Sequence, residues 1–192
     1  MIANNIYSIV LLSASARRKA LVKQMGFEVK VKPTNLQETY PSALIYDRIP
    51  EYLSVKKANS FPLSHLKDNE ILLAADTMVF QNEKPLFKPQ TTDQAIFHLQ
   101  SLSNGIHTVI TGCTLKSRTK TISFSDTTTV VFNPLTVEEI NYYVNKYSPY
   151  DKAGGYGIQE WIGLIGIKEI NGSPYNVMGL PTHQVYQKIK TL

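Results

Sequence analysis

The chain holds one cysteine in 192 residues, Cys113, so no disulfide can close within it. That excludes a small scaffold stapled by disulfides, and Cys113, set in an apolar run, is expected to be a buried small hydrophobe. No apolar run approaches the 18 or more residues of a membrane-spanning helix. Residues Met1-Ile2-Ala3-Asn4-Asn5 lack the charged start and small-residue cleavage site of a secretion signal. These absences set the expectation of a cytoplasmic protein with no membrane segment. Internal repeats, low-complexity stretches and linkers are also missing, so residues 1–192 are expected to form one domain. Basic runs are short, since Arg17-Arg18 and Lys56-Lys57 are only pairs, and no recognised nucleic-acid motif or aromatic-rich basic stripe is present.

The remaining composition is that of a globular protein able to bury a sizeable core, with 43% hydrophobic and 18% charged residues. Twenty basic residues against 15 acidic ones give a formal charge of +5, which suits an anionic partner and leaves nucleic acid, nucleotide or a merely basic surface open.

The chain is organised around Ser13-Ala14-Ser15-Ala16-Arg17-Arg18. The apolar run Ile6 to Leu12 predicts a buried strand before it, and Ala16 to Met25 predicts a helix after it, with Ser15 as N-cap and Gly26 as stop. Two arginines in a first turn oppose the helix dipole. Free N–H groups, hydroxyls and guanidinium forks would nevertheless converge there on a ligand with several negative charges.

Farther on, Phe27 to Lys32 alternates as a strand, Thr34 to Tyr40 is a polar loop carrying Glu38, and Pro41 to Ser60 has helical spacing. Pro50 divides that stretch, so two helices or one kinked helix are expected, with Glu51 to Ser60 as the second piece. Of the neighbours Lys56 and Lys57, one is expected to face solvent and the other a cleft. Glu70 to Val79 predicts the most apolar strand, with Asp76 and Thr77 at its C-terminal end, where an Asp would face a ligand crevice or cap the strand.

Gln81 to Pro85 has hairpin composition, and Lys88 precedes the rigid Pro89. Thr91 to Leu102 is a helix, Asn104-Gly105 a turn, and Ile106 to Lys116 and Thr121 to Phe132 an antiparallel strand pair. Thr136 to Lys146 is a helix with a capping-box start. In Asp151-Lys152-Ala153-Gly154-Gly155-Tyr156-Gly157-Ile158-Gln159, the glycines suit unusual backbone angles or a close approach to a ligand, but fit neither the Rossmann nor the Walker A spacing. Trp161 to Ile170 is a strand candidate, Asn171-Gly172 a turn, and Ser173 or Thr182 starts the closing helices.

Six segments in order resemble the Maf family of nucleoside triphosphate pyrophosphatases, first named for septum formation. They are Ser13 to Arg18, Lys57-Ala58, Ala75-Asp76-Thr77, Lys88-Pro89, Asp151 to Gln159, and Asn176-Val177-Met178-Gly179-Leu180-Pro181. The resemblance implies an α/β fold: an elongated mixed β-sheet flanked by helices, in two lobes with a cleft between them. It further implies a homodimer, a divalent metal cation (Mg or Mn), and cleavage between the α and β phosphates to a nucleoside monophosphate and pyrophosphate. The Tyr156-Gly157-Ile158-Gln159 version of the glycine loop is similar to the branch acting on dTTP and UTP. The chain makes two departures from the family pattern: Ala16 replaces a usual proline, at little expected cost, and Glu160-Trp161 follows Gln159 where glycine is common.

A nucleoside triphosphate carries about four negative charges, and its cleavage needs charge neutralisation and a positioned water. Arg17, Arg18, Lys57, Lys88 and Lys152 are candidates for the cationic cradle, and Ser13 and Ser15 for phosphate hydrogen bonds. Asp76 is the candidate catalytic carboxylate; an ordinary Asp, with a pKa of about 3.9, is a feeble base unless a metal activates the water or Asp76 mainly orients it. Glu38, Asp76 and Asp151 are the candidate metal ligands. Gln159 is a candidate reader of uracil or thymine through its amide, and the resemblance adds Arg17 and Thr77 to the specificity residues. Two alternatives stand beside this reading: the same chemistry on another nucleotide such as 7-methyl-GTP, and a non-enzymatic basic nucleic-acid-binding regulator.

Overall fold

In the computed structural model, which describes residues 6–192, the first apolar run forms strand β1 (Ser8–Leu11) and leads into helix α1 (Ala16–Gln24). The reading of Met1 to Asn5 falls outside the described residues. Ser15 caps α1 by accepting from Arg18 N at 3.4 Å. Gly26, just beyond the C-cap, takes the left-handed conformation (φ +87°) that ends a helix without a Cβ penalty. Strand β2 (Val29–Val31) then returns parallel to β1, with Ile9 opposite Val29.

The sheet runs β2-β1-β3-β5-β6-β7. Strand β3 (Glu70–Gln81) is parallel to β1, with Ile9 opposite Ile71. Strand β4 (Lys84–Leu86) pairs only with β3, antiparallel, across a turn in which Asn82 (φ 49°) and Glu83 (φ 63°) are both left-handed, as a type I′ hairpin requires. Strands β5 (Ile106–Lys116) and β6 (Thr121–Phe132) have the bounds that their Thr, Val and Ile content predicts. Strand β7 (Ile167–Asn171) closes the sheet antiparallel to β6. The fold is the expected mixed sheet flanked by helices.

Two compact units share these elements. The first comprises the chain up to Asp76 with Thr111–Asp126 and Gly179–Leu192; the second comprises Thr77–Ile110 and Thr127–Met178. In the first, Val10, Leu12, Leu72 and Ala74 pack with Ala58 and Leu66. Helix α2 (Ile49–Asn59) lies so close to β5 that a Cβ on Gly112 would stand 2.2 Å from Pro50 C and Glu51 N. Polar contacts fix the same helix: Ser54 Oγ lies 2.8 Å from Thr114 Oγ1, and Ser125 Oγ donates to Glu51 Oε2 at 3.1 Å. Helix α7 (Thr182–Ile189) completes this unit.

The second unit is built on Val79, Leu99, Leu102, Val130, Phe132 and Tyr143. Its helices α3 (Thr92–Leu102) and α4 (Val137–Tyr147) are capped by Thr91 and Thr136, and Glu139 closes the expected capping box on Thr136 N at 2.7 Å. Helix α6 (Pro174–Met178) ends it.

Three sequence expectations change. Asp76 and Thr77 are interior to β3, because buried Met78, Val79 and Phe80 carry the strand on to the hairpin. Pro50 lies in the first turn of α2, where its missing N–H costs nothing, and the chain before it makes only a 3₁₀ turn at Tyr46–Arg48. Trp161 to Ile170 is not one strand: Trp161–Gly166 is helix α5, and β7 begins at Ile167. Gly163 permits this turn, since a Cβ there would fall 1.9 Å from Ile158 O. Thr182 does start α7, as expected, with Pro181 at the N-cap position.

Gly112→Ala must push α2 off β5. The expected loss of stability is about 2 kcal/mol or more, read from the urea midpoint at unchanged m-value.

Candidate active site

In the first unit, the turn from β1 into α1 gathers side chains around Arg18. Ser13 Oγ accepts from Ser15 N at 3.2 Å and from Arg18 Nη1 at 3.3 Å. Arg18 Nε donates to Gly179 O at 2.8 Å. With their oxygens used as acceptors, Ser13 and Ser15 each keep an O–H to donate. Burial works against the Arg18 charge, while Asp76 and Glu38 favour it, and a guanidinium stays protonated throughout. Arg17 is half-buried in the same turn and acts repulsively on Arg18.

Close by in this unit, the buried ammonium of Lys57 on α2 donates to Asp76 Oδ1 on β3 and, at 2.6 Å, to Glu38 Oε1. Burial pushes the Asp76 carboxyl above its ordinary value; Lys57 and Arg18 oppose that shift and Glu38 reinforces it. Asp76 is therefore a stronger base than the unperturbed residue of the sequence reading. Lys56, the neighbour of Lys57, donates to Gln37 O and Thr39 O and Oγ1 in exposed hydrogen bonds, so one lysine of the pair is buried and the other lies at the surface, as expected. Cys113 is fully buried, and desolvation raises its thiol to about 12, which makes it the inert hydrophobe expected.

Among the described residues, no three His, Cys, Asp or Glu side chains form a group that could hold a metal. Glu38 and Asp76 nevertheless aim oxygens at one shared cation, the Lys57 ammonium. Two carboxylates are the donor set that suits Mg²⁺, which keeps several waters and completes its octahedron with substrate phosphates.

The second unit holds the other predicted residues. Thr77 follows Asp76 on β3 and is half-buried. Lys152 Nζ is buried and bonded to Asp151 Oδ1 at 2.7 Å and Glu160 Oε1 at 3.0 Å. Asp151 is exposed. Tyr143 Oη donates to Glu160 Oε2 and accepts from Gly157 N at 3.0 Å, and Trp161 stacks edge-on against Tyr142 at 4.8 Å. The Glu160-Trp161 departure is thus a brace for the glycine loop. Gly154 and Gly155 both take φ +72°. Gly154 N donates to Phe87 O at 3.4 Å, which ties the exposed Lys88 segment to this loop. A Cβ on Gly157 would meet Gln159 Nε2 at 2.8 Å, so glycine there makes room for the exposed Gln159 amide.

Sequence reasoning missed Glu160 and Tyr143 as supports of Lys152, Gly179 as the anchor of Arg18, and Asn176. The Asn176 amide is fully buried and donates to Val109 O at 3.0 Å and Thr128 Oγ1 at 2.9 Å. The only sequence signal for the last two was their shared motif.

The fold and site define an α/β protein with a basic strand-to-helix turn and a buried lysine that bridges one sheltered and one solvated carboxylate. The profile of the family described as Maf-like protein matches residues 8–192. A dTTP/UTP pyrophosphatase of Parabacteroides distasonis is 45% identical over 96% of this chain and 95% of its own. Proteins of the same name from Bacteroides thetaiotaomicron and Christiangramia forsetii are 44% and 42% identical, over 97% of this chain and 96% and 94% of theirs. The chain belongs to the Maf family.

The glycine loop also rests on a pH-sensitive contact. Tyr156 Oη lies 2.7 Å from His107 Nε2, both rings are buried with Phe132, and desolvation lowers His107 to about 4. Below the ordinary value of 6.5, the unfolded chain takes up a proton that the fold refuses. This contribution is intact above pH 6.5 and is lost as pH falls toward 4, about 3 kcal/mol in all. Urea titrations across that window should show the slope in the wild type and a flatter one in His107→Gln.

Proposed function

We propose that the chain hydrolyses dTTP and UTP to the nucleoside monophosphate and pyrophosphate. The observation that carries this reading is the buried Asp76, raised in basicity and held with Glu38 by Lys57, in the same unit as the Arg18–serine turn. The substrate class comes from the relatives, which are named for dTTP and UTP.

Asp76 accepts a proton from water as the water oxygen bonds to the α-phosphorus. The bond from that phosphorus to the αβ-bridging oxygen breaks, and pyrophosphate leaves with the electron pair. Ser13, Ser15, Arg17 and Arg18 bind phosphate oxygens, as do Lys57, Lys88 and Lys152. Arginine serves as a two-pronged clamp and lysine as a point charge. Glu38 and Asp76 would hold a divalent cation, which supplies charge neutralisation and lowers the pKa of water. Asp151, which bonds Lys152, is the third candidate. Gln159 reads the pyrimidine edge, with Arg17 and Thr77 as further specificity residues. The same reading makes the protein a cytoplasmic homodimer. No helix among the described residues is long and apolar enough to cross a membrane.

Incubation with dTTP, UTP, CTP and 7-methyl-GTP, each with Mg²⁺ or Mn²⁺, should release pyrophosphate chiefly from the first two. Release mainly from 7-methyl-GTP would keep the chemistry and overturn the specificity. No release from any of them would overturn the enzyme and favour the nucleic-acid-binding alternative.

Asp76→Asn should lower kcat by about 10³-fold with the fold intact by circular dichroism. In the wild type, kcat/KM should rise with pH through an inflection above 3.8, because Asp76 must lose its proton to act. Gln159→Ala should reorder the nucleotides by kcat/KM while leaving the best rate within about tenfold.

A further inference from the structure

Helix α2 sets two lysines side by side on one loop, and their contacts differ in kind. Lys56 Nζ donates to Gln37 O (3.0 Å), Thr39 O (2.9 Å) and Thr39 Oγ1 (2.7 Å), so its ammonium has three acceptors. It grips the main chain on both sides of Glu38 without touching the Glu38 carboxylate. Lys57 leaves that main chain alone and bonds the carboxylates of Glu38 and Asp76. One lysine fixes where the loop lies; the other occupies the charge that the loop presents.

The Lys57 ammonium therefore stands as a cation between the two oxygens best suited to a divalent ion. A divalent ion on these carboxylates would compete with the ammonium, because two positive charges a few ångströms apart repel.

We propose that Lys57 is a placeholder cation. It holds Glu38 and Asp76 together until a metal-bound triphosphate arrives. It then releases both carboxylates and turns its ammonium to a phosphate oxygen, while Lys56 keeps Glu38 in position through the exchange. The inference rests on the proposed triphosphate hydrolysis and deepens it. The protein alone binds the metal weakly, because Lys57 competes; phosphate relieves the competition by giving the ammonium another partner. Metal and nucleotide consequently bind together.

The test is Mn²⁺ binding to the nucleotide-free full chain, followed by the loss of the free-ion electron paramagnetic resonance signal. Lys57→Met should tighten Mn²⁺ binding about tenfold over wild type, and Mn²⁺ should raise its Tm more than that of the wild type. Lys56→Met should weaken binding severalfold, because the loop that presents Glu38 is released. A diffuse effect of net charge predicts the opposite for Lys56, since removal of either lysine would then favour the ion equally. Lys57→Gln, which keeps an N–H donor toward the carboxylates, serves if the methionine variant does not fold.

Tightening in Lys57→Met or Lys57→Gln together with weakening in Lys56→Met supports the exchange. Unchanged or weaker binding in the Lys57 variants, equal tightening in Lys56→Met, or no Mn²⁺ binding by any variant up to millimolar concentration overturns it. Wild-type hydrolysis of dTTP, measured on the same samples, separates the two readings. Activity with the wrong affinity pattern removes only the placeholder, whereas absence of metal-dependent hydrolysis removes the proposed function.

Discussion

The ion pair of Lys57 with Asp76 is the constraint on which the first unit depends. Burying two charges costs several kcal/mol per ion, and their attraction offsets this only in good geometry. The geometry is set by three elements. Asp76 is fixed by a strand parallel to β1 and buried on both sides of the residue. Lys57 is fixed by a helix pressed onto the bare backbone of Gly112 and bonded through Ser54 and Glu51 to β5 and β6. Glu38 is fixed by a loop that Lys56 grips. Arg18 adds a second positive charge to the same field from the first turn of α1. Loosening any of these elements leaves a buried charge short of its partner, so the fold of this unit and the electrostatics of its site are one problem.

The second unit repeats this arrangement with different residues. Lys152 is 8% exposed and lies between Glu160, at 19%, and Asp151, at 62%. Lys57 is 10% exposed and lies between Asp76, at 8%, and Glu38, at 50%. In each unit a buried lysine has one sheltered and one solvated carboxylate. The sheltered partner settles the charge when nothing is bound; the solvated partner costs little to release. Such a lysine is held firmly yet can change partners. Tyr143 stiffens the second arrangement by bonding both Glu160 and Gly157, which couples Lys152 to the glycine loop.

The parts legible in the sequence were those decided locally. The Ser15 cap, the Gly26 stop, the Thr136 capping box and the bounds of β5 and β6 depend on neighbours in the chain, and all were readable. The elements misread depend on tertiary contact. Trp161–Gly166 has an apolar composition that suits a strand, and only the approach of Gly163 to Ile158 O shows why it coils. Asp76 looked like a strand end because a carboxylate seldom continues a buried run; Lys57, 19 positions earlier, is what allows it to. The candidate residues themselves were named through the family resemblance. The supports were not: Glu160 stood out only as a departure, and Gly179, the anchor of Arg18, only through its motif.

The residues that broke local rules in the sequence are the ones now found at the site. Two arginines in a first turn weaken a helix, an aspartate interrupts an apolar strand, and clustered glycines spoil helix and strand alike. Each conflict is answered at long range. Arg18 is tied to Ser13 and Gly179, Asp76 to Lys57, and the Gly154–Gly157 backbone to Phe87 and Tyr143. A sequence free of these conflicts would make the same sheet with a quieter core, and would lose the converging charges. Local inconsistency compensated by tertiary contacts is how a stable fold keeps reactive groups in place, and here it marks out the candidate site residues.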